Sequence, residues 1–149
     1  MPRGVSLTYL VDGFNVIHAV DRLRDVLTER GPAAATRALV DLLARWLALQ
    51  ADGPTVELVF DGDRPAGAPL PPPESPRLRV RYVLNAADDD LMLLLERRGP
   101  RTLVSADGEL VAHAARHGQG VMAPLAFVRD VLDDMGALIE LRERSVFGG

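Results

Sequence analysis

The chain has 149 residues and a formal charge of −4, a length suited to one domain that buries roughly two thirds of its unfolded surface without covalent staples. It contains no cysteine, and its 17 Lys+Arg positions are all arginine. Those facts exclude thiol nucleophiles, thiolate zinc and iron–sulfur sites, Schiff-base lysines, and the phosphate-binding lysines of Walker loops and kinases.

In chain order, residues 7–11 form a short apolar run stopped at Asp12-Gly13, the pattern of a strand buried on both faces of a parallel sheet. After Gly31-Pro32, the spacing of Leu39, Leu42, Leu43, Trp46 and Leu47 predicts an amphipathic helix, with Trp46 in the core, halted by Gly53-Pro54. Residues 55–60 predict a second strand ending at Asp61-Gly62, and residues 78–84 a third. Between them lies a proline-rich stretch, 64–76, in which Pro71, Pro72 and Pro73 imply stiff, extended chain. Residues 86–98 predict a helix opened by Asp88, Asp89 and Asp90; 102–105 a fourth strand ending at Asp107-Gly108; 109–117 a helix stopped by Gly118. A short fifth strand at 120–122 precedes a last helix opened by Pro124, and 136–149 reads as a frayed tail.

Alternating strands and helices predict an α/β fold: an open, mostly parallel sheet of four to five strands with helices on both faces. No apolar run reaches the ~18 residues of a membrane span, and the segment before Asp12 lacks a leader's cleavage pattern. The expectation is therefore a single domain over 1–149 that works in the cytoplasm, away from membranes.

The acidic residues carry the functional signal. Asp12 follows the first strand, Asp61 the second and Asp107 the fourth, while Asp88 to Asp90 open the helix after the third. In an open parallel sheet those carboxyl ends share one edge, where ligands bind. Carboxylates gathered there repel one another unless a divalent cation neutralises them, and hard oxygen ligands point to Mg²⁺ or Mn²⁺ rather than Zn²⁺. Metal-assisted phosphoryl chemistry follows. Each aspartate also has an ordinary reading, because Asp-Gly is turn chemistry and an aspartate at a helix N-terminus is favoured by the dipole; their joint placement is what marks a site. Asp63 reads as a loop charge, and Asn15 suits either capping the next turn or holding a metal-bound water.

Two weaker patterns remain. His113 and His117 share a helix face at i, i+4, but Ala114 stands where the zinc-protease pattern needs glutamate, so they read as surface histidines near a helix end. Arg77, Arg79 and Arg81 alternate along the third strand, a spacing that fits either a phosphate-tracking face or a charged edge strand that blocks edge-to-edge pairing.

Taken in order, Leu10-Val11-Asp12-Gly13-Phe14-Asn15-Val16-Ile17, Val59-Phe60-Asp61-Gly62, Ala87-Asp88-Asp89 and Val104-Ser105-Ala106-Asp107 resemble the YacP-type NYN-domain family of PIN-like nucleases. The resemblance spans roughly residues 7–132. It implies a PIN-like three-layer sandwich whose first strand is central, flanked by the second and fourth. It also implies a divalent-metal endoribonuclease acting on single-stranded RNA such as mRNA, some relatives being associated with the ribosome. Asp12, Asp61, Asp88 and Asp107 match its acidic positions, Asn15 its asparagine, and Asp89 the second aspartate of its helix-opening pair. Departures are Ala86, where threonine or serine is frequent, Ala106, in place of a small hydroxyl residue, and Asp90, where an aromatic is frequent. The lost hydroxyls are ones that would orient metal ligands. With no lysine, arginines such as Arg64 are the candidates for clamping phosphates.

Two other classes compete. A non-catalytic RNA- or ribosome-binding module would keep the fold without the chemistry. Asp61-Gly62-Asp63 resembles the motif of haloacid-dehalogenase-like phosphatases, but Pro65 stands where Thr or Val belongs and the usual lysine is missing.

Overall fold

The computed structural model describes residues 7–62, 75–84 and 87–146. Asp63, Arg64, most of the proline-rich stretch and Ala86 lie outside them. Five strands, β1 (Thr8–Asp12), β2 (Thr55–Asp61), β3 (Leu78–Val83), β4 (Arg101–Val104) and β5 (Gly120–Met122), form one sheet in the order β3-β2-β1-β4-β5. Every pairing is parallel, with Val11 opposite both Leu58 and Val104. Parallel pairing turns all five carboxyl ends to one edge. The first strand is central, as the family resemblance implies, and β3 is an edge strand.

Six helices complete the chain: α1 (Gly13–Ala19), α2 (Asp21–Arg30), α3 (Pro32–Ala48), α4 (Ala87–Leu95), α5 (Gly108–Arg116) and α6 (Pro124–Val146). The sheet separates two apolar clusters, and the period-2 alternation of the strands distributes their side chains between them. Val11, Leu58, Phe60 and Val104 join residues of α1, α3 and α6, including Ile17, Leu43, Trp46 and Phe127. Leu10, Val59 and Leu103 join Leu91, Leu94, Leu95, Leu110 and Ala114 of α4 and α5. Leu10 and Val11 are both fully buried, as a central strand covered on both faces requires. Trp46 is core, and its indole N–H donates to Asp134 at 3.0 Å.

The structure differs from the sequence reading in two helical regions. The first is 13–30: the strand ends at Asp12 as expected, but the sequence pattern assigns no helix to the residues that follow. There β1 runs directly into α1 and α2 follows, and Gly13 passes so close to Phe60 of β2 that any Cβ there would collide with the ring. The second is the end of the chain: α6 continues through Gly136 to Val146 where a frayed tail is expected. One helical glycine costs only about 1 kcal/mol, and the buried Phe127, Val128 and Val131, with Met135 packed beside them, anchor this helix on the sheet.

Candidate active site at the carboxyl edge

Asp12 is the last residue of β1 and the N-cap position of α1, but its side chain makes no capping hydrogen bond. It turns toward the neighbouring strand end, where the Ser105 hydroxyl donates to Asp12 Oδ2 at 3.0 Å. The same hydroxyl oxygen accepts from the Asp107 N–H at 3.0 Å. Ser105 is buried, so one side chain ties the ends of β1 and β4 together.

Asp107 caps α5: its Oδ1 accepts from the N–H groups of Glu109, at 2.9 Å, and Leu110, at 3.1 Å. The ordinary capping role expected of such an aspartate therefore holds, while its charge still bears on Asp12 and Asp88. Asp88 and Asp89 are exposed in the first turn of α4, and Asp61 is exposed at the end of β2. Asn15 neither caps its own turn nor stands free. Its Oδ1 accepts from Ala106 N–H at 2.8 Å, because α1 starts at once after β1 and carries this side chain across to the loop after β4.

Electrostatics show which carboxylates face one another. The Asp12 carboxyl is pushed up to about 6, first by burial and then by the charges of Asp88 and Asp107. The Ser105 hydroxyl and the Asn15 main-chain amide pull it down, but by less. Asp88 is also raised, by partial burial and then by Asp107, Asp61, Glu109 and Asp89. Asp12 thus feels Asp88 and Asp107, and Asp88 in turn feels Asp107, Asp61 and Asp89. None of the ion pairs among the described residues involves Asp12, Asp61, Asp88 or Asp107.

The edge-strand arginines do not act as one face. Arg77 precedes β3, and its guanidinium donates to the carbonyls of Leu47, at 2.8 Å, and Gln50, at 2.7 Å, closing the end of α3. Arg81 pairs with Asp90 at 2.7 Å, and Arg79 lies 3.7 Å from Glu57 with most of its side chain exposed. Strand alternation fails at Arg77 because the strand begins one residue later, at Leu78.

Two features are not evident from motif spacing. Ser105 supplies Asp12 with a hydroxyl although Ala106 lacks one; the available signal is a polar residue at the end of an apolar strand. The other is a cluster of Glu96, His113 and His117, with one potential ligand atom from each lying within 4.8 Å of the others. The i, i+4 histidine spacing is visible in the sequence, but Glu96 comes from the preceding helical segment. Among the described residues no helix is long and apolar enough to cross a membrane.

Comparison with known proteins agrees with this architecture. Two crystal structures of Rae1 (YacP) from Bacillus subtilis, one of a point mutant, superpose with TM-scores of 0.71 and 0.69 at 20% identity. They cover 95% of this chain and 84% and 82% of theirs, a likeness of fold. No curated protein matches the sequence. The family model of the YacP-like NYN domain matches residues 9–138, and with β1 central and Asp12 at its carboxyl end, the chain belongs to that family of PIN-like, nuclease-type domains.

Proposed function

We propose that this protein is a divalent-cation-dependent endoribonuclease that hydrolyses phosphodiester bonds of single-stranded RNA at the carboxyl edge of its sheet. The observation that carries the reading is the Asp12 carboxylate, set at the end of the central strand, held by Ser105 and facing the charges of Asp88 and Asp107. Family membership supports a nuclease in general.

The donor set fits Mg²⁺ or Mn²⁺. Its atoms are hard carboxylate oxygens, and Asp12 is raised to about 6 first by burial and then by the charges of Asp88 and Asp107. Asp12, Asp61, Asp88 and Asp107 would hold the ion, which when bound lowers the pKa of a water and offsets charge on the leaving oxygen. The protein's own part is geometry. Ser105 fixes the rotamer of Asp12, Asn15 holds the 106–107 backbone against α1, and the N-cap of α5 aims Asp107. Asp89 adds negative charge beside Asp88. For the RNA backbone, Arg79 has the exposure to meet a phosphate, and Arg64, outside the described residues, follows the edge in sequence. Arg77 and Arg81 are engaged within the protein, which assigns them to supporting the fold.

The association of family members with translation makes mRNA, free or on the ribosome, the substrate to test. Purified protein is incubated with labelled single-stranded RNA, with and without ribosomes, in Mg²⁺, Mn²⁺ or chelator. Internal cleavage that stops with chelator and falls by orders of magnitude in Asp12→Asn is the expected result. Cleavage indifferent to chelator overturns the metal mechanism; RNA binding without cleavage under any condition selects a non-catalytic binding module instead.

A further inference from the structure

Glu96, His113 and His117 lie outside the acidic edge, and the proposed RNA chemistry uses none of them. Helices α4 and α5 both start at the carboxyl edge and run away from it, so the residues that follow α4 and end α5 meet at the far side of that layer. From Asp107 to His113–His117 the distance along α5 is roughly 9–15 Å, at about 1.5 Å per residue. This is a separate place on the molecule.

The geometry is that of a nitrogen–oxygen ligand set. His113 Nε2 is 3.0 Å from Glu96 Oε2, and because a carboxylate only accepts, that nitrogen carries a proton that a bound cation would displace. His117 Nδ1 is 3.0 Å from the carbonyl oxygen of His113, and because a carbonyl only accepts, that ring nitrogen carries the proton. Nε2 of His117 is then the lone-pair nitrogen, in the tautomer that a ligand histidine adopts when its other ring N–H is held by a backbone carbonyl. The two imidazole centroids are 4.4 Å apart. Donors around a tetrahedral Zn²⁺ stand about 3.4 Å from one another, given bond lengths of about 2.0–2.1 Å. The spacings here, from 3.0 Å up to at most 4.8 Å, bracket that value.

The scaffold beneath is firm. Leu95 and Ala114 are fully buried between the helices and the sheet. Gln119 bridges the helix ends by donating to the carbonyls of Leu95, at 3.1 Å, and Gly99, at 3.2 Å. A cation here also sits near the C-terminal ends of two helices, where the helix dipole favours positive charge.

We propose that Glu96, His113 and His117 form a three-ligand site for a borderline divalent cation of the Zn²⁺ class, leaving at least one coordination position open. The ion would clamp the far ends of the two helices that carry Asp88 in the first turn of α4 and Asp107 as the N-cap of α5. Imidazole with carboxylate suits Zn²⁺, whereas the all-oxygen edge suits Mg²⁺ or Mn²⁺.

The test uses the full chain free of any histidine tag and stripped with chelator, in four forms: wild type, Glu96→Gln, His117→Gln and Asp12→Asn. Each is titrated with Zn²⁺ while its melting temperature is followed, and with Co²⁺ while the visible d–d bands are recorded. The expected result is a rise of several degrees in wild type and in Asp12→Asn at Zn²⁺ well above Kd. Tetrahedral-type Co²⁺ bands should appear in the same two proteins, with both signals lost in Glu96→Gln and His117→Gln. These two variants should melt close to wild type without metal, which separates loss of ligation from loss of folding. Absence of a Zn²⁺ response in wild type, an equal response in all four proteins, or its loss only in Asp12→Asn would overturn the proposal.

Discussion

The carboxyl edge and the far ends of α4 and α5 both gather groups able to hold a metal, but they are built on opposite electrostatics. At the edge, carboxylates arrive on separate segments, and the groups that face Asp12 and Asp88 across it carry the same sign. Each is steadied by its own local bonds: Asp12 by Ser105, Asp107 by the first turn of α5. At the far ends, an imidazole already contacts a carboxylate at 3.0 Å. Among the described residues only that second group brings three potential ligand atoms within 4.8 Å of one another. Closeness of potential ligand atoms in the metal-free protein therefore depends on the signs of the groups that meet. Like charges hold themselves apart until a cation draws them in, whereas a histidine and a glutamate close on each other without one.

The comparison is broken most sharply by exchanging variants and metals. Asp12→Asn should lower Mn²⁺-dependent RNA cleavage by orders of magnitude while keeping the Zn²⁺ thermal shift. Glu96→Gln should do the reverse, cleaving at close to the wild-type rate with Zn²⁺ absent. Parallel cleavage assays and melts on the two variants check this, and loss of both properties in either one would merge the two sites into a single unit.

The next largest effect is a pH dependence peculiar to the edge. Asp12 holds its proton more tightly folded, at about 6, than its ordinary value of 3.8. Its contribution to stability is therefore fully present below about pH 4 and is lost as pH rises through about 6. The loss amounts to at most about 3 kcal/mol at 1.36 kcal/mol per pKa unit. In chelator, Asp12→Asn should gain on wild type in melting temperature between pH 4 and pH 8. A gap between the two proteins that stays constant over that range would show that neither burial nor the neighbouring charges penalise ionised Asp12.

Ser105→Ala sharpens the same point through a neutral group. It leaves Asp12 without its hydroxyl donor and the Asp107 N–H without its acceptor, a loss of about 1–3 kcal/mol for a buried polar group deprived of its partner. Denaturant unfolding should show that loss, and Ser105→Thr, which retains a hydroxyl, should recover part of it. The smallest effect separates charge from capping at Asp107. Asp107→Ala should cost about 1 kcal/mol through loss of the N-cap. Asp107→Asn keeps an acceptor oxygen and sheds the charge, so it should be neutral or stabilising in chelator. Equal destabilisation by both substitutions would show that the charge itself supports the cap.

Much of this molecule is legible in the order of its residues. Short apolar runs ended by Asp12-Gly13, Asp61-Gly62 and Asp107 are visible as strands because burial on both faces leaves no polar alternation to confuse them. Parallel pairing follows from the helices between them, and with it the assignment of the acidic residues to one edge. Sequence order likewise places Trp46 in the core, but it leaves the arginine-bearing third strand open between two readings, and only the strand order puts β3 at the edge. It does not reveal that position 13 must be glycine, because the reason is the nearness of Gly13 to the Phe60 ring, a residue of another strand.

Tertiary structure alone decided the partnerships. The Ala106 N–H meets Asn15 Oδ1 because α1 carries that side chain across to the loop after β4. Arg77 left the row of arginines for the carbonyls of Leu47 and Gln50, which lie at and just past the end of α3, some thirty positions earlier in the chain. The hydroxyl missing at Ala106 was supplied by Ser105 from the neighbouring position, and Glu96 joined two histidines that it precedes by most of a βα unit. Local pattern specifies which face of an element is buried, because periodicity and burial are properties of a single segment. Which polar atom meets which depends on how separate segments pack, and the hydrogen bond forms only where a donor and an acceptor from different elements come within about 3 Å.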